Sequence, residues 1–175
     1  RTAMWHLVEQ SPEQFRAFRP VAVLAPGVLG TTGVETGELV LGVIDRIHPE
    51  LILAVDALAA RRLSRLMCTI QMTDTGIVPG SGVGNARTAL TQAALGVPVL
   101  SIGVPTVVDG ATLAADIAQQ SGAQCEALDD LNTPVLVTTR DVDQQTADAA
   151  RVIGYGINLF LHPSLDIADM ELFLS

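Results

Sequence analysis

Two aspartates in the sequence each follow a run of aliphatic residues, a position in which a carboxylate can do acid–base chemistry. Asp56 comes directly after residues 51–55 (LILAV), and Asp109 ends the aliphatic segment 97–108. Ligands of an open α/β sheet bind beyond the carboxyl ends of its strands, so both side chains are predicted to be accessible to a substrate. The alternative for each is structural, because Asp is also a favoured N-cap of a following helix.

A glycine-rich segment, MTDTGIVPGSGVGNAR, is the second candidate for a functional element. Its glycines permit positive φ angles and close approach to another chain, which fits a substrate-binding rim; a tight structural turn is an equal alternative. We expect the rim to be formed by Gly80, Ser81, Gly82, Gly84 and Asn85. The segment lacks the GK[ST] of a nucleotide-binding loop, so phosphate binding is the weaker hypothesis. Asp74 is expected to cap the loop through backbone amides.

Other catalytic chemistries find little support in the sequence. The three histidines form no HxxxH pair, and the serines lack a GxSxG setting. The two cysteines, Cys68 and Cys125, form no CxxC, which excludes a cysteine-type zinc site and argues against a disulfide framework. We therefore expect no metal and no cofactor.

Aliphatic segments alternate with amphipathic ones along the chain, which predicts an α/β fold built from βαβ units. We expect helices over residues 35–47, 57–66, 112–120 and from a cap at Thr139 or Asp141 to about residue 160. We expect strands over residues 21–27, 51–55, 68–72, 97–104 and 134–138. Residues 76–85 are expected to be a loop, and no period is evident after His162.

The composition limits the class of protein. The 175 residues suit one domain, 1–175, and 49% of them are hydrophobic while only 3% are aromatic, so the core must be aliphatic, as in a parallel sheet covered by helices. A net charge of −9 argues against a nucleic-acid surface. No apolar run is long enough to cross a bilayer and the start does not resemble a signal peptide. We therefore expect a cytoplasmic protein with no membrane partner.

Five long segments together resemble the spore germination protease family. They are APGVLGTTGVET, AVDALAARRLSRL, TIQMTDTGIVPGSGVGN, LGVPVLSIGVPTVVD and LVTTRDVDQQTADAARVIGYGINLFLH. The resemblance implies a fold similar to hydrogenase-maturation proteases, a three-layer α/β/α sandwich around a mostly parallel sheet. It also implies an endopeptidase that is made as a zymogen and assembles as a homotetramer. Such an enzyme begins the degradation of small acid-soluble spore proteins during germination, in the forespore or spore core.

The same resemblance implies a paired-aspartate site. One family aspartate lies in the VDALAAR motif, here Asp56. The other belongs to an N-terminal segment expected to be missing from residues 1–175, so this chain alone is expected to be inactive. Recruitment of Asp74, Glu35 or Asp109 as the second acid is the weaker option. A competing hypothesis is a non-catalytic relative that serves as an interaction or regulatory module in sporulating bacteria.

Two departures from the family pattern affect these expectations. Val78 stands where relatives usually carry His, and the stretch between Asp109 and Pro134 is much shorter than in typical members. The first weakens any role for that histidine, and the second bears on substrate range and oligomer geometry.

Overall fold

A four-stranded sheet carries the candidate site in the computed structural model, which describes residues 5–81, 87–122 and 135–174. The chain divides into two compact units, one of Pro26–Thr146 and the other of Arg1–Ala25 with Ala147–Ser175. The sheet belongs to the first unit. That residues 1–175 form a single domain stays a prediction.

The sheet is mixed, with its strands in the order β1-β3-β2 and β4 paired to β3. Its strands are β1 (Ile52–Ala60), β2 (Gln71–Thr73), β3 (Val99–Asp109) and β4 (Leu136–Val137). β1 and β3 are parallel over nine residue pairs, whereas β2 and β4 run antiparallel to β3. The predicted α/β class is confirmed, and the parallel part of the sheet is its longest pairing.

Three of the predicted helices are present at nearly the predicted positions. They are α3 (Thr36–Ile47), α5 (Gly110–Ser121) and α6 (Val142–Leu161). At the start of α6 the carbonyl oxygen of Asp141 accepts the Gln145 amide, so Asp141 rather than Thr139 holds the cap position. Four further helices were not predicted: α1 (Trp5–Gln10), α2 (Leu29–Thr32), α4 (Gln92–Leu95) and α7 (Ile167–Leu174).

The helix predicted over residues 57–66 is wrong. β1 continues through Ala60 because each residue from Ala57 to Ala60 pairs with β3, and only a 3₁₀ turn, Leu63–Arg65, follows. Alanine favours helices by less than about 1 kcal/mol per residue, so tertiary pairing overrides that preference. The extension also moves Asp56 from the expected strand end to the middle of β1.

The strand predicted over residues 21–27 is also wrong. These residues form no strand among the described parts of the chain, and Val23 is 66% exposed. An aliphatic run forms a strand only when a neighbour pairs with it, and Pro20 and Pro26 remove two amide donors from this one. The strands predicted over 68–72, 97–104 and 134–138 exist with shifted ends, as β2, β3 and β4.

Two small apolar clusters hold the larger unit together. One joins Leu90, Leu95 and Val99, and Val40 and Ile44 of α3 pack against it. The other contains Ala60, Leu66 and Val108, and Leu113 of α5 is among the residues packed against it. The i, i+4 spacing of Val40 and Ile44 puts both on one face of α3, which is why this helix covers the sheet.

In the smaller unit, aromatic packing surrounds the buried His162. The ring of Phe18 stacks on the imidazole with centroids 4.2 Å apart, and Phe15 meets Phe18 edge to face at 5.0 Å. Met170 of α7 and Asn158 of α6 are fully buried in the same unit. His162 therefore belongs to a packed core.

Candidate active site

Asp56 lies at the middle of β1, an edge strand of the sheet, in a row that crosses three strands. It pairs in register with Gly103 of β3, and Gly103 pairs with Gln71 of β2. Cross-strand partners put their side chains on the same face of a sheet. The carboxylate of Asp56 and the amide of Gln71 therefore lie on one face, on either side of Gly103, and the side chain of Leu58 packs over that glycine.

The adjacent row on that face is also polar. Ala54 of β1 pairs with Ser101 of β3, which pairs with Thr73 of β2. Two residues along a strand correspond to about 6.6 Å, so the two rows are neighbours. Asp56 thus lies on the edge strand β1, on the same face as the polar side chains of Gln71, Thr73 and Ser101.

The carboxylate of Asp56 is partly exposed and is oriented by its own backbone. Its Oδ1 accepts a hydrogen bond from the amide of Ala57 at 2.9 Å. This local contact fixes the side-chain rotation while the group remains accessible to solvent. The structural alternative for Asp56, an N-cap of a following helix, is wrong because β1 continues past it.

A cavity of about 550 Å³ opens on the face that carries Asp56. Its apolar lining is Leu58, Met72, Ile77 and Val78, and its polar lining is Gln71, Thr73, Ser81 and Ser101. Gly103 also lines it, and a Cβ added there would stand 2.5 Å from Cγ of Leu58. The volume is that of a typical ligand site, and none of the described residues that line it is charged.

Part of the predicted glycine-rich rim lies at this cavity. Gly80 has a positive φ of 74°, as predicted, and Ser81 lines the cavity wall. Gly82, Gly84 and Asn85 lie outside the described residues. The predicted function of the rim stays a prediction.

Gly76, which sequence analysis did not single out, anchors this loop. Its φ is 88°, and a Cβ would collide with the carbonyl oxygen of Leu90. Next to it, Ile77 and Leu90 exchange two backbone hydrogen bonds. The hydroxyl of Thr73 accepts the Thr75 amide at 3.1 Å and so caps the turn before Gly76. Sequence analysis had predicted this role for Asp74.

Asp109 has the structural role that was its alternative. It ends β3, and its Oδ1 accepts hydrogen bonds from the amide and the hydroxyl of Thr112 at 3.0 and 3.3 Å, which caps α5. It also lies six residues beyond Gly103, a distance of about 20 Å along a strand. Asp109 therefore does not pair with Asp56.

Asp74 does not share the row of Asp56 either. It follows the end of β2, three residues beyond Gln71, which is about 10 Å along a strand. Its side chain is exposed.

Glu35 fastens the start of α3 to the segment that follows the glycine-rich loop. Its Oε1 accepts the Thr88 amide at 2.6 Å and its Oε2 accepts the Thr88 hydroxyl at 2.8 Å. These two bonds, the backbone one first, hold the pKa of the Glu35 carboxyl below its ordinary value. A carboxylate that is kept ionised by its hydrogen bonds suits a structural clamp better than a proton donor.

Substitutions at two glycines of α3, Gly37 and Gly42, test the contact between this helix and Thr88. A Cβ on Gly37 would lie 2.9 Å from Cβ of Thr88, whereas a Cβ on Gly42 would meet nothing within 4 Å. We expect Gly42→Ala to raise the free energy of unfolding by about 0.5–1 kcal/mol, as Ala does in an open helix position. Gly37→Ala should lower it by about 1–3 kcal/mol through overpacking. Denaturant unfolding measures both, and equal stabilisation by the two variants would contradict the close approach of Thr88.

The described parts of the chain contain neither a metal-binding group of side chains nor a membrane-spanning helix. Within residues 5–81, 87–122 and 135–174, no group of three or more His, Cys, Asp or Glu residues is placed to hold a metal ion. In the same ranges, no helix combines the length and the apolar character needed to cross a membrane.

Sequence reasoning missed Gln71, Thr73, Ser101 and Gly103 as members of the site. The signal that could have found them is the period of two in strands, since QMT and SIG place polar or small residues on alternate positions. Without the register between β2 and β3, however, that period does not reveal which residues stand beside Asp56.

Comparison with known proteins gives a consistent result. Residues 3–121, which are 119 of the 175, match the family profile described as germination protease. Relatives named germination protease come from Caldanaerobacter subterraneus (42% identical, covering 97% of this chain and 61% of the relative) and Clostridium acetobutylicum (39%, 97% and 61%). A Bacillus pumilus relative is 54% identical over 63% of this chain and 30% of its own length. The chain thus spans about 61% of the first two relatives.

Proposed function

The chain belongs to the germination protease family, and on that basis we propose that it carries the substrate-binding face and one catalytic carboxylate, Asp56, of an endopeptidase. The observation that supports this proposal is the row Asp56–Gly103–Gln71: Gly103 and Gln71, the cross-strand neighbours of the family's VDALAAR aspartate, line a cavity of ligand size.

The reaction we propose is hydrolysis by a pair of aspartates. One carboxylate is ionised and takes a proton from water as the water oxygen bonds to the peptide carbonyl carbon. The other is protonated and donates to the carbonyl oxygen; a proton then passes to the leaving amine as the C–N bond breaks. Two carboxyl groups held close together share one proton because both cannot easily ionise, so proximity alone produces the two roles.

We place the second carboxylate outside residues 1–175. The support is indirect but physical: of the three candidates within the chain, Asp109 caps α5, Glu35 is bound at both oxygens, and Asp74 lies beyond the end of β2. The relatives are longer than the part that matches this chain, so each has additional residues from which a second aspartate can come.

Membership of the germination protease family supports a proposal for the substrates and the assembly. The substrates we propose are small acid-soluble spore proteins, cleaved during germination in the forespore or spore core. The assembly we propose is a homotetramer that is made as a zymogen, with each subunit a three-layer α/β/α sandwich. The mixed sheet with α3 and α5 packed near it is compatible with such a subunit.

The proposal is tested by identifying both the cleavage products and the attacking nucleophile. We expect the full-length protein to cut a small acid-soluble spore protein at internal positions, which mass spectrometry of the products locates. In H₂¹⁸O the new carboxyl group should gain one labelled oxygen in a single turnover. Added hydroxylamine should trap no hydroxamate, because direct attack by water forms no acyl-enzyme.

Two results would contradict the proposed aspartate-pair hydrolysis. Hydroxamate formation would replace the aspartate pair by a covalent nucleophile. The absence of cleavage under every processing condition would favour the non-catalytic relative, an interaction or regulatory module.

A further inference from the structure

Ser101 has a buried hydroxyl group that no described residue satisfies. The residue is 3% exposed, and its Oγ has no hydrogen-bond partner within residues 5–81, 87–122 and 135–174. A buried hydroxyl without a partner is destabilising, so such groups are few in folded proteins and each requires an explanation. Ser101 stands in the middle strand of the sheet, where a smaller alanine would have avoided the cost.

Ser101 is among the residues that line the cavity described above. Ser101 is two residues before Gly103 on β3 and pairs with Ala54 of β1, two residues before Asp56. From strand spacings its Cα stands about 8 Å from that of Asp56. That separation corresponds to two or three residues of an extended peptide, so a group bound at Ser101 belongs to a substrate residue close to the scissile bond.

Thr73, another polar residue of the cavity, does not offer an uncommitted hydroxyl. The hydroxyl of Thr73, the cross-strand partner of Ser101, is already bonded to that of Thr75 at 2.7 Å. Ser101 therefore contributes the buried, uncommitted polar atom, and the apolar lining around it is supplied mainly by Leu58, Met72, Ile77 and Val78.

We propose that this cavity is a specificity subsite beside Asp56 that receives an uncharged substrate side chain with an aliphatic stem and a terminal amide, Gln or Asn. The terminal amide pairs with the Ser101 hydroxyl, which can both donate and accept. The stem lies against the apolar walls. This inference rests on the proposed peptidase function, since it assigns the substrate preference of that same site.

The cavity lining disfavours a fully apolar side chain and a charged side chain. A fully apolar occupant would leave the Ser101 hydroxyl buried and unpaired, so it would gain burial without removing that cost. A charged occupant would lose its hydration in a cavity whose lining residues carry no opposite charge, which is more costly still. An amide side chain satisfies the hydroxyl without bringing a charge.

The test uses full-length protein and a peptide series in which Gln, Leu or Glu replaces each residue flanking the scissile bond in turn. At one position the Gln peptide should exceed the Leu peptide in kcat/KM by about three- to tenfold, the value of one neutral hydrogen bond, and should exceed the Glu peptide as well. Ser101→Ala should abolish the preference for Gln over Leu, mainly through KM. The matched control is Ser121→Ala, because that hydroxyl bonds the Ala118 carbonyl at the end of α5, away from the cavity.

Two readouts separate this inference from the function on which it rests. Ser101→Ala should raise the melting temperature of the free protein, because it removes an unpaired buried hydroxyl; a serine with a purely structural partner would lower it. Peptide binding to Asp56→Asn, followed by fluorescence anisotropy, reports the subsite without cleavage. If the wild-type protein cleaves nothing but the Gln preference appears in binding, the peptidase function fails and the subsite stands. The subsite proposal is overturned if Ser101→Ala keeps the preference for Gln, or if the Glu peptide is the best substrate.

Discussion

Asp56→Asn is expected to abolish proteolysis by the full-length protein while leaving its fold intact. Loss of an essential acid or base typically lowers the rate by about 10²–10⁴-fold. The amide of Asn has nearly the shape of the carboxyl group, and its oxygen can still accept the Ala57 amide as Oδ1 of Asp56 does. It cannot take a proton from water, however. Initial rates on a spore-type protein substrate, measured beside thermal melting, give the result.

The chain offers a control that makes the same chemical change in the same sheet. Asp109→Asn should leave both rate and melting temperature nearly unchanged, because Asn caps a helix about as well as Asp and Asp109 caps α5. Activity of Asp56→Asn within about tenfold of wild type would be too much for the loss of an essential acid or base. A large loss in Asp109→Asn instead would transfer the catalytic role to that residue.

Three of the helices were accessible from sequence for a local reason. Residues 35–47 carry apolar side chains at helical spacing and end at a His-Pro pair, and α3 is found at Thr36–Ile47. Asp109 before the next amphipathic stretch marks the start of α5. Periodicity and caps are determined by neighbours in the chain, so they can be detected without any knowledge of tertiary contacts.

The errors arose where non-local pairing decides the structure. Residues 57–60 (ALAA) have helical propensity, but β3 provides a strand with which they pair, and β1 extends through them. Residues 21–27 (VAVLAPG) have the composition of a strand, yet no partner strand lies beside them in the described parts of the chain. Strand propensity depends on the neighbouring strand and on burial, which single-sequence patterns do not contain.

The candidate site shows the same division between local and non-local information. The sequence indicated Asp56 by its type and motif, but the expected reason, a position at the end of a strand, was wrong. What surrounds Asp56 follows from the register of β2 and β3, which brings Gln71 and Thr73 from one segment next to Ser101 and Gly103 from another. A register is a tertiary property, since a slip of one residue would turn all these side chains to the opposite face.

The second prediction is that residues 1–175, purified alone, have no measurable peptidase activity. Attack of water on a peptide carbonyl needs a base to accept the proton of the water and an acid to protonate the oxygen or the leaving amine. Asp56 can be only one of these at a time, and Asp109 and Glu35 are engaged elsewhere by Thr112 and Thr88. Cleavage of a spore-type protein, followed by gel electrophoresis and mass spectrometry, should therefore equal the rate without enzyme.

The control for this prediction adds the remaining segments of the full-length protein to residues 1–175. Residues 1–175 should remain inactive alone and gain activity when the remaining segments are added in trans, and Asp56→Asn in the same mixture should prevent that gain. The exposed aliphatic side chains of the sheet, such as Val55 at 53% and Met72 at 62%, are expected to make the isolated chain self-associate, so its state is checked by size-exclusion chromatography. Robust activity from residues 1–175 alone would show that a second acid lies within them. Asp74 would then be the first candidate to substitute, because neither of its rivals is free of a structural hydrogen bond.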